Sequence, residues 1–323
     1  MTSVTRHQDL PRALSGPYTS LDGLIASRRD AEALVLRPSR RATRLLAGGH
    51  QSRLRGRGMD FAEVRGYQPG DDVRHIDWRV TARTTIAHTK TFTEERERPA
   101  LILCDQRAPM FFGSRVRFKS VQAANIAALL AWAALRGKDR VGGLLLGHDA
   151  MSQSKPQHSD RAVLTLLSKL NEYNRALRRE QLASPARHSL SEALCDLRRT
   201  TKTGTSIFLI SDFSDLQDEG LRHLYELCQH NSVWAFAIYD PLERDLPPAG
   251  SYRVCAGSRE AEVDTRSARR RAQFAAAAQQ RCTALQSALT RLGIPLVEVA
   301  TTDDPVSTLS RVFQRPRRGA ASA

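Results

Sequence analysis

Residues Gly56 to Asp105 read GRGMDFAEVRGYQPGDDVRHIDWRVTARTTIAHTKTFTEERERPALILCD. As far as Arg98 the stretch is dense in turn residues, charges and aromatics, and from Pro99 the rhythm changes. Ala100 to Cys104 is an apolar run closed by Pro99 and Asp105, too short for a helix, and reads as a buried parallel strand. Beyond Asp105 the chain repeats that pattern with helical stretches in between. Lys119–Arg136 is a helix ended by Gly137, Arg140–Leu146 a second strand, and Arg161–Tyr173 and Leu190–Arg199 two more helices. Ser206–Ile210 is a third strand running into Ser211-Asp212, Leu216–His230 a helix and Val233–Tyr239 a fourth strand. Gly250–Val263 reads as a hairpin turning at Ala256-Gly257. Thr265–Leu292 is a long helix with Gly293 in the position of a left-handed cap, Ile294–Val299 a last strand and Pro305–Phe313 a terminal helix. Strands alternating with helices of this length predict an α/β fold: a parallel sheet wrapped by helices on both faces.

Upstream, Ser20 caps a short helix to about Leu34, Gly48–Gly58 is a Gly/Arg-rich loop, and Gln68–Asp71 is a turn. Trp78–Phe92, partly alternating and rich in Thr and Ile, predicts one or two strands. The expected organisation is a mobile start over 1–19, a distinctive segment over 20–98, the α/β domain over 99–315 and a basic tail over 316–323.

The longest apolar run, around Ala123–Leu135, is too short to cross a bilayer, and no charged-then-apolar leader opens the chain, so a cytoplasmic protein without membrane insertion is expected. The five cysteines lie far apart with no C-x-x-C pair, which argues against disulfides and a zinc site. The net charge of +15 is nearly all arginine, since only six of the 49 basic residues are lysine. Arg forks match phosphate geometry. Yet these arginines gather at the chain ends with no interleaved aromatics to stack bases, so nucleic-acid binding is the weaker reading.

In open parallel sheets, ligands sit beyond the carboxyl ends of the strands. Asp105 and Asp212 end two such strands. A second acidic group, Asp71, Asp72 and Asp77, falls within seven residues and could serve a metal-dependent hydrolase. The competing reading is turn capping after Pro69-Gly70 and ion pairing of Asp77 with Arg74 or Arg83, which the neighbouring arginines favour. No Walker A loop, H-E-x-x-H, G-x-S-x-G or dinucleotide turn is present, so no enzyme activity is expected.

The ordered positions Gly56, Gly58, Asp60, Phe61, Arg65, Tyr67, Gly70, Asp71, Asp72, Arg74, Ile76, Asp77, Trp78, Ala82 and Arg83 closely match a signature, and by it the chain resembles the bacterial "domain of unknown function 58" family. The second half of that family resembles a von Willebrand factor A domain, a Rossmann-type sheet. In A domains a divalent ion is held by an Asp-x-Ser-x-Ser loop, a threonine and a further aspartate, and magnesium suits such oxygen ligands. The resemblance therefore carries a metal role onto Asp105 and Asp212, but Arg107 and Pro109 stand at the two hydroxyl positions, and no clear threonine lies near His188 or Ser189. A unit charge at about 4 Å and an effective dielectric near 20 repels a divalent ion by on the order of 8 kcal/mol. Arg107 is expected instead to bridge Asp105 and Asp212 as an internal counter-ion, with no cofactor and Mg²⁺ as the lesser alternative. The resemblance also implies partners: a MoxR-type AAA+ ATPase and other von Willebrand A proteins. The expected function is then a non-enzymatic adaptor in a chaperone-like system that matures client complexes. It would dock through the strand-end loops, including Arg107, and the Gly56–Arg98 segment, whose Trp78 is expected in the core.

Overall fold

The computed structural model describes residues 15–36, 59–68, 73–84, 86–94, 98–178, 180–181, 184–256 and 259–313. The chain forms two compact units, one from 48–97 and the other from 1–47 together with 98–323. The expected boundary at 20 is therefore corrected. Helix α1 (Leu21–Ala26) does not group with the signature segment but packs on the larger unit, where Trp132 Nε1 donates to Leu24 O at 3.1 Å. Ser20 caps it as expected, its side chain accepting from Gly23 N. Residues 15–19, assigned to a mobile start, are held: Thr19 is buried, and its N–H donates to Asn174 Oδ1 at 2.8 Å and its hydroxyl to Asn171 Oδ1 at 2.9 Å. Residues 1–14 and the basic tail lie outside the described residues.

In the smaller unit, β1 (Met59–Gly66) pairs antiparallel with β2 (His88–Glu94), with a bulge between Phe61 and Glu63. Between them lies helix α2 (Trp78–Thr84), where strands were expected. The Asp77 carboxylate explains the difference. It accepts from the N–H groups of Arg79 and Val80 at 3.1 and 3.2 Å, capping a helix start that the β-branched residues alone do not favour.

The larger unit continues with β3 (Pro99–Gln106), α3 (Lys119–Arg136), β4 (Arg140–Gly147), β5 (Met151–Gln157), α4 (Asp160–Ala176) and α5 (Leu190–Thr200). Then come β6 (Ser206–Ser211), α6 (Asp218–Cys228), β7 (Ser232–Tyr239), the hairpin β8 (Ser251–Ala256) and β9 (Arg259–Asp264), α7 (Ala268–Leu292), β10 (Leu296–Ala300) and α8 (Pro305–Phe313). The six-stranded sheet has the order β10-β7-β6-β3-β4-β5, parallel throughout except for β5, which runs antiparallel along one edge. Counting only these strands in chain order, the sheet reads 3-2-1-4-5-6 from the β5 edge, the doubly wound order of Rossmann-type folds.

The central strands are apolar on both sides because both faces are covered. Ile102 and Cys104 face a core built with α1, α3, α4 and α8, while Leu101 and Leu103 face one built with α5, α6 and α7. Burying each such aliphatic side chain is worth about 1.5–3 kcal/mol. The Cys104 thiol, raised to about 12 mainly by burial, is a small core hydrophobe and not a nucleophile. Gly293 closes α7 with φ 71°, in the left-handed region. Among the described residues no helix is long and apolar enough to cross a membrane.

Candidate functional site

The strand order reverses between β3 and β6, so the crevice of an open α/β sheet falls between their carboxyl ends. Asp105 lies at the end of β3, and Ser211 and Asp212 at the end of the adjacent parallel β6. The loop leaving β3 supplies Arg107, and the first residue of α3 supplies Lys119.

Arg107 is only 4% exposed, and its guanidinium is saturated by two carboxylates. Nε donates to Asp105 Oδ1 at 3.0 Å and Nη2 to Asp105 Oδ2 at 2.7 Å. On the other side Nη1 and Nη2 reach Asp215 Oδ2 and Oδ1 at 2.5 and 2.9 Å. The counter-ion expected to bridge Asp105 and Asp212 thus bridges Asp105 and Asp215. The reason is that Asp212 is taken by a second buried cation. Lys119 Nζ donates to Asp212 Oδ2 at 2.8 Å and to Glu243 Oε1 at 2.7 Å, with Lys119 2% exposed.

Burial disfavours the charge on both cations, but the carboxylates outweigh it: Asp215 and Asp105 hold the Arg107 pKa above the usual range, and Asp212 and Glu243 do the same for Lys119. The acids move the opposite way. Burial would raise Asp212 and Asp215, yet Lys119 and Arg107 hold them below the ordinary carboxylate value. Arg107, Lys119, Asp212 and Asp215 therefore stay charged at neutral pH and are not poised to exchange a proton.

Hydroxyl and amide donors complete the site. Ser211 Oγ donates to Asp105 Oδ2 at 2.7 Å, and the Ser214 N–H and hydroxyl donate to Asp212 Oδ1 at 3.1 and 2.9 Å. The loop where a threonine was sought ends at Ser189, which caps α5 in a capping box with Glu192, and the next N–H, of Leu190, donates to Asp215 Oδ2 at 3.1 Å. Phe213 sits between Asp212 and Asp215 in the loop after β6, with a left-handed φ of 55°, a cost of about 1–2 kcal/mol for a residue with a side chain. Its buried ring and its N–H to Ser211 Oγ at 3.1 Å offset that strain. A fourth aspartate, Asp240 after β7, is fully buried. It accepts from the Ser114 N–H and hydroxyl, Leu242 N and Thr301 Oγ1 at 2.6–3.0 Å. Burial would raise its pKa, but these donors hold it low.

This donor set does not fit a magnesium ion. Pro109 offers no side-chain oxygen, Asp105 and Asp212 already direct both of their oxygens at donors, and Arg107 and Lys119 already neutralise these carboxylates. Among the described residues no three His, Cys, Asp or Glu are grouped to hold a metal.

The rim of the site is the loop between β3 and α3. Phe111 stacks edge-on to Phe118 and packs on Tyr18, with ring centroids 4.9 and 5.5 Å away. Ser114 is tied to Asp240, and Gly16 exchanges backbone hydrogen bonds with Val116 O and Phe118 N. Gly113 lets the loop fold back, since a Cβ there would lie 2.3 Å from Arg117 O. Pinned in this way, the loop leaves Pro109, Phe112 and Arg115 exposed, Phe112 at 39%.

The remaining sequence-derived site residues are in the smaller unit. Asp77 is a helix cap and its carboxylate is engaged. Trp78, expected in the core, is 70% exposed, as helix α2 buries none of its residues. Asp60, Phe61 and Arg65 lie in β1, with Tyr67 just after it. Arg74 is in a short 3₁₀ turn, Ile76 forms a bridge with Thr89, and Ala82 and Arg83 lie in α2. Gly56, Gly58, Gly70, Asp71 and Asp72 lie outside the described residues, and with them most of the acidic cluster weighed for a hydrolase. Sequence reasoning missed Lys119, Asp215, Asp240 and Glu243. Only Asp240 carried a usable signal, as an acid directly following an apolar strand.

The model of a family described as "Protein of unknown function DUF58" matches residues 63–284. "Uncharacterized protein Rv1480" of Mycobacterium tuberculosis and "Uncharacterized protein Mb1516" of Mycobacterium bovis are each 29% identical over 280 residues, 85% of this chain and 85% of theirs. Among solved structures, a conserved hypothetical protein, BatB, from Bacteroides thetaiotaomicron is similar at 15% identity and a TM-score of 0.39, over 67% of this chain and 96% of that one.

Proposed function

We propose that this chain, which belongs to the DUF58 family of proteins of unknown function, is a non-enzymatic interaction module whose strand-end rim docks on a MoxR-type AAA+ ATPase. In this reading the pair works with other von Willebrand A proteins in a chaperone-like system that matures client complexes, without a metal ion. The observation that carries the reading is the state of the switch-point crevice. The place where an α/β sheet of this order receives its ligand is closed by two buried cation–carboxylate clusters, Asp105–Arg107–Asp215 and Asp212–Lys119–Glu243. A closed crevice with saturated charges offers neither a nucleophile nor a proton donor, but it is a rigid base for the loop above it. That loop exposes an aromatic and an arginine, Phe112 and Arg115, residue types that anchor protein interfaces.

Arg107 was expected to be a docking residue itself, and its burial moves that role to the rim. Size-exclusion chromatography with the cognate ATPase and an ATP-turnover assay test the proposal. Co-elution and a change in turnover support it. If neither occurs at tens of micromolar with ATP or ADP present, the adaptor reading fails.

A further inference from the structure

A cavity of about 400 Å³ opens at the opposite edge of the larger unit. It is lined by Pro99 and Arg140, which begin β3 and β4, by Gln153–Pro156 of the antiparallel edge strand β5, and by Thr200, Lys202 and Thr205 between α5 and β6, over a floor that includes Leu101. The size is within the range of small-molecule sites, roughly 300–1,000 Å³.

The lining is chemically one-sided. Its neutral polar groups are already engaged with the protein. Ser154 Oγ accepts from Gly143 N at 3.0 Å, Gln153 Nε2 donates to Thr200 Oγ1 at 2.5 Å, and Thr205 Oγ1 donates to Lys202 O at 2.6 Å. The cations at the mouth are Arg140, Lys155 and Lys202, and among the described residues no carboxylate lines the cavity. Neither Lys155 nor Lys202 has an ion-pair partner among the described residues. The nearby acid, Asp139, is turned to the Arg98 N–H at 3.1 Å. Pro99, Leu101 and Pro156 give the interior an apolar surface. The last carbonyls of α5 add some negative potential, which the full charges on the lysines outweigh.

We propose that this cavity is a binding site for a small organic anion: a phosphate or sulfate monoester, its charged head between Lys155 and Lys202 and its compact apolar body against Leu101, Pro99 and Pro156. The site lies at the amino ends of the parallel strands, away from the switch-point crevice, and does not depend on the docking reading.

Isothermal titration calorimetry with 1-naphthyl phosphate, which has both parts, tests it against 1-naphthol, which lacks the charge, and inorganic phosphate, which lacks the body. The expected result is binding of 1-naphthyl phosphate at least tenfold tighter than of either control. In Lys155→Glu/Lys202→Glu, two exposed positions, affinity should fall at least tenfold while the melting temperature holds. Leu101→Ala provides a second check through the apolar floor. No binding of 1-naphthyl phosphate up to about 1 mM overturns the proposal. So does equal binding of 1-naphthol, or binding that the lysine substitutions leave unchanged.

Discussion

Arg107→Met keeps an unbranched stem and removes the guanidinium, its charge and its donors together. Arg107 contributes Nε and Nη2 to Asp105 and Nη1 and Nη2 to Asp215. After the substitution Asp215, with its side chain 34% exposed, can turn to water, but Asp105 is 1% exposed and cannot. Asp105 keeps the Ser211 hydroxyl and the Arg107 N–H, two neutral donors in place of a charged fork. Breaking a buried pair from one side costs about 3–5 kcal/mol, because the other charge is left behind. At about 2–4 °C per kcal/mol for a domain of this size, the melting temperature should drop by roughly 6–20 °C. Asp105→Asn in the Arg107→Met background removes the stranded charge and should recover most of the loss.

The pH dependence has a definite sign. Asp215 has a folded pKa held below its unfolded value of about 3.9, so its contribution is present above that pH and is lost as pH falls through the folded value. In Arg107→Met the cation that holds Asp215 low is gone, and with it this contribution. The deficit relative to wild type should therefore be full at about pH 7 and shrink as pH falls below about 3.9, towards about 3. Urea unfolding of wild type, single and double variants at both pH values checks this. A loss under about 1 kcal/mol, or a double variant no more stable than the single one, would refute the reasoning.

Lys119→Met should cost about 3 kcal/mol by urea unfolding, the low end for a broken buried pair, because Glu243 is 37% exposed at its side chain and can relax into water while Asp212 cannot. About 5 mM Mg²⁺ should raise unfolding stability by less than about 1 kcal/mol, which corresponds to a Kd weaker than about 1 mM; a larger, EDTA-reversible gain abolished by Asp105→Ala would show that a metal displaces the internal cations. Gly113→Ala forces a Cβ to within 2.3 Å of Arg117 O, so the rim loop must shift, and a loss of about 1–3 kcal/mol is expected in thermal unfolding.

The parts of the fold that were legible in sequence are those where local pattern and tertiary environment agree. The helices Lys119–Arg136, ended by Gly137, and Pro305–Phe313 have the bounds expected for them. Four of the five parallel strands, β3, β4, β6 and β7, are apolar on both faces and read as short unbroken runs. Strand β5, MSQSKPQ, was not legible. It lies on the sheet edge, where polar residues and Pro156 are tolerated, and only its pairing with β4 makes it a strand. Helix α2 was misread because Thr, Val and Ile favour strands, and one side-chain cap decided otherwise.

At the site, Asp105 and Arg107 were legible because they stand two positions apart and the motif comparison pointed there. Their completion was not. Lys119 meets Asp212 across 93 positions and Glu243 across 124, and Arg107 meets Asp215 across 108, separations that no local pattern encodes. A lysine at the first turn of a helix ordinarily reads as a solvated charge, and only the packed strand ends around it reveal the second counter-ion.

The measurement that tests the docking claim most directly is the affinity of the MoxR-type ATPase for wild type and for Phe112→Ala/Arg115→Glu, read by fluorescence anisotropy with ATP and with ADP. Both positions are exposed on the rim, so the variant should melt as wild type does. The account predicts saturable wild-type binding and at least a tenfold weaker variant, about 1.4 kcal/mol or more. Wild-type binding that the double substitution leaves unchanged would place the interface elsewhere and contradict the claim.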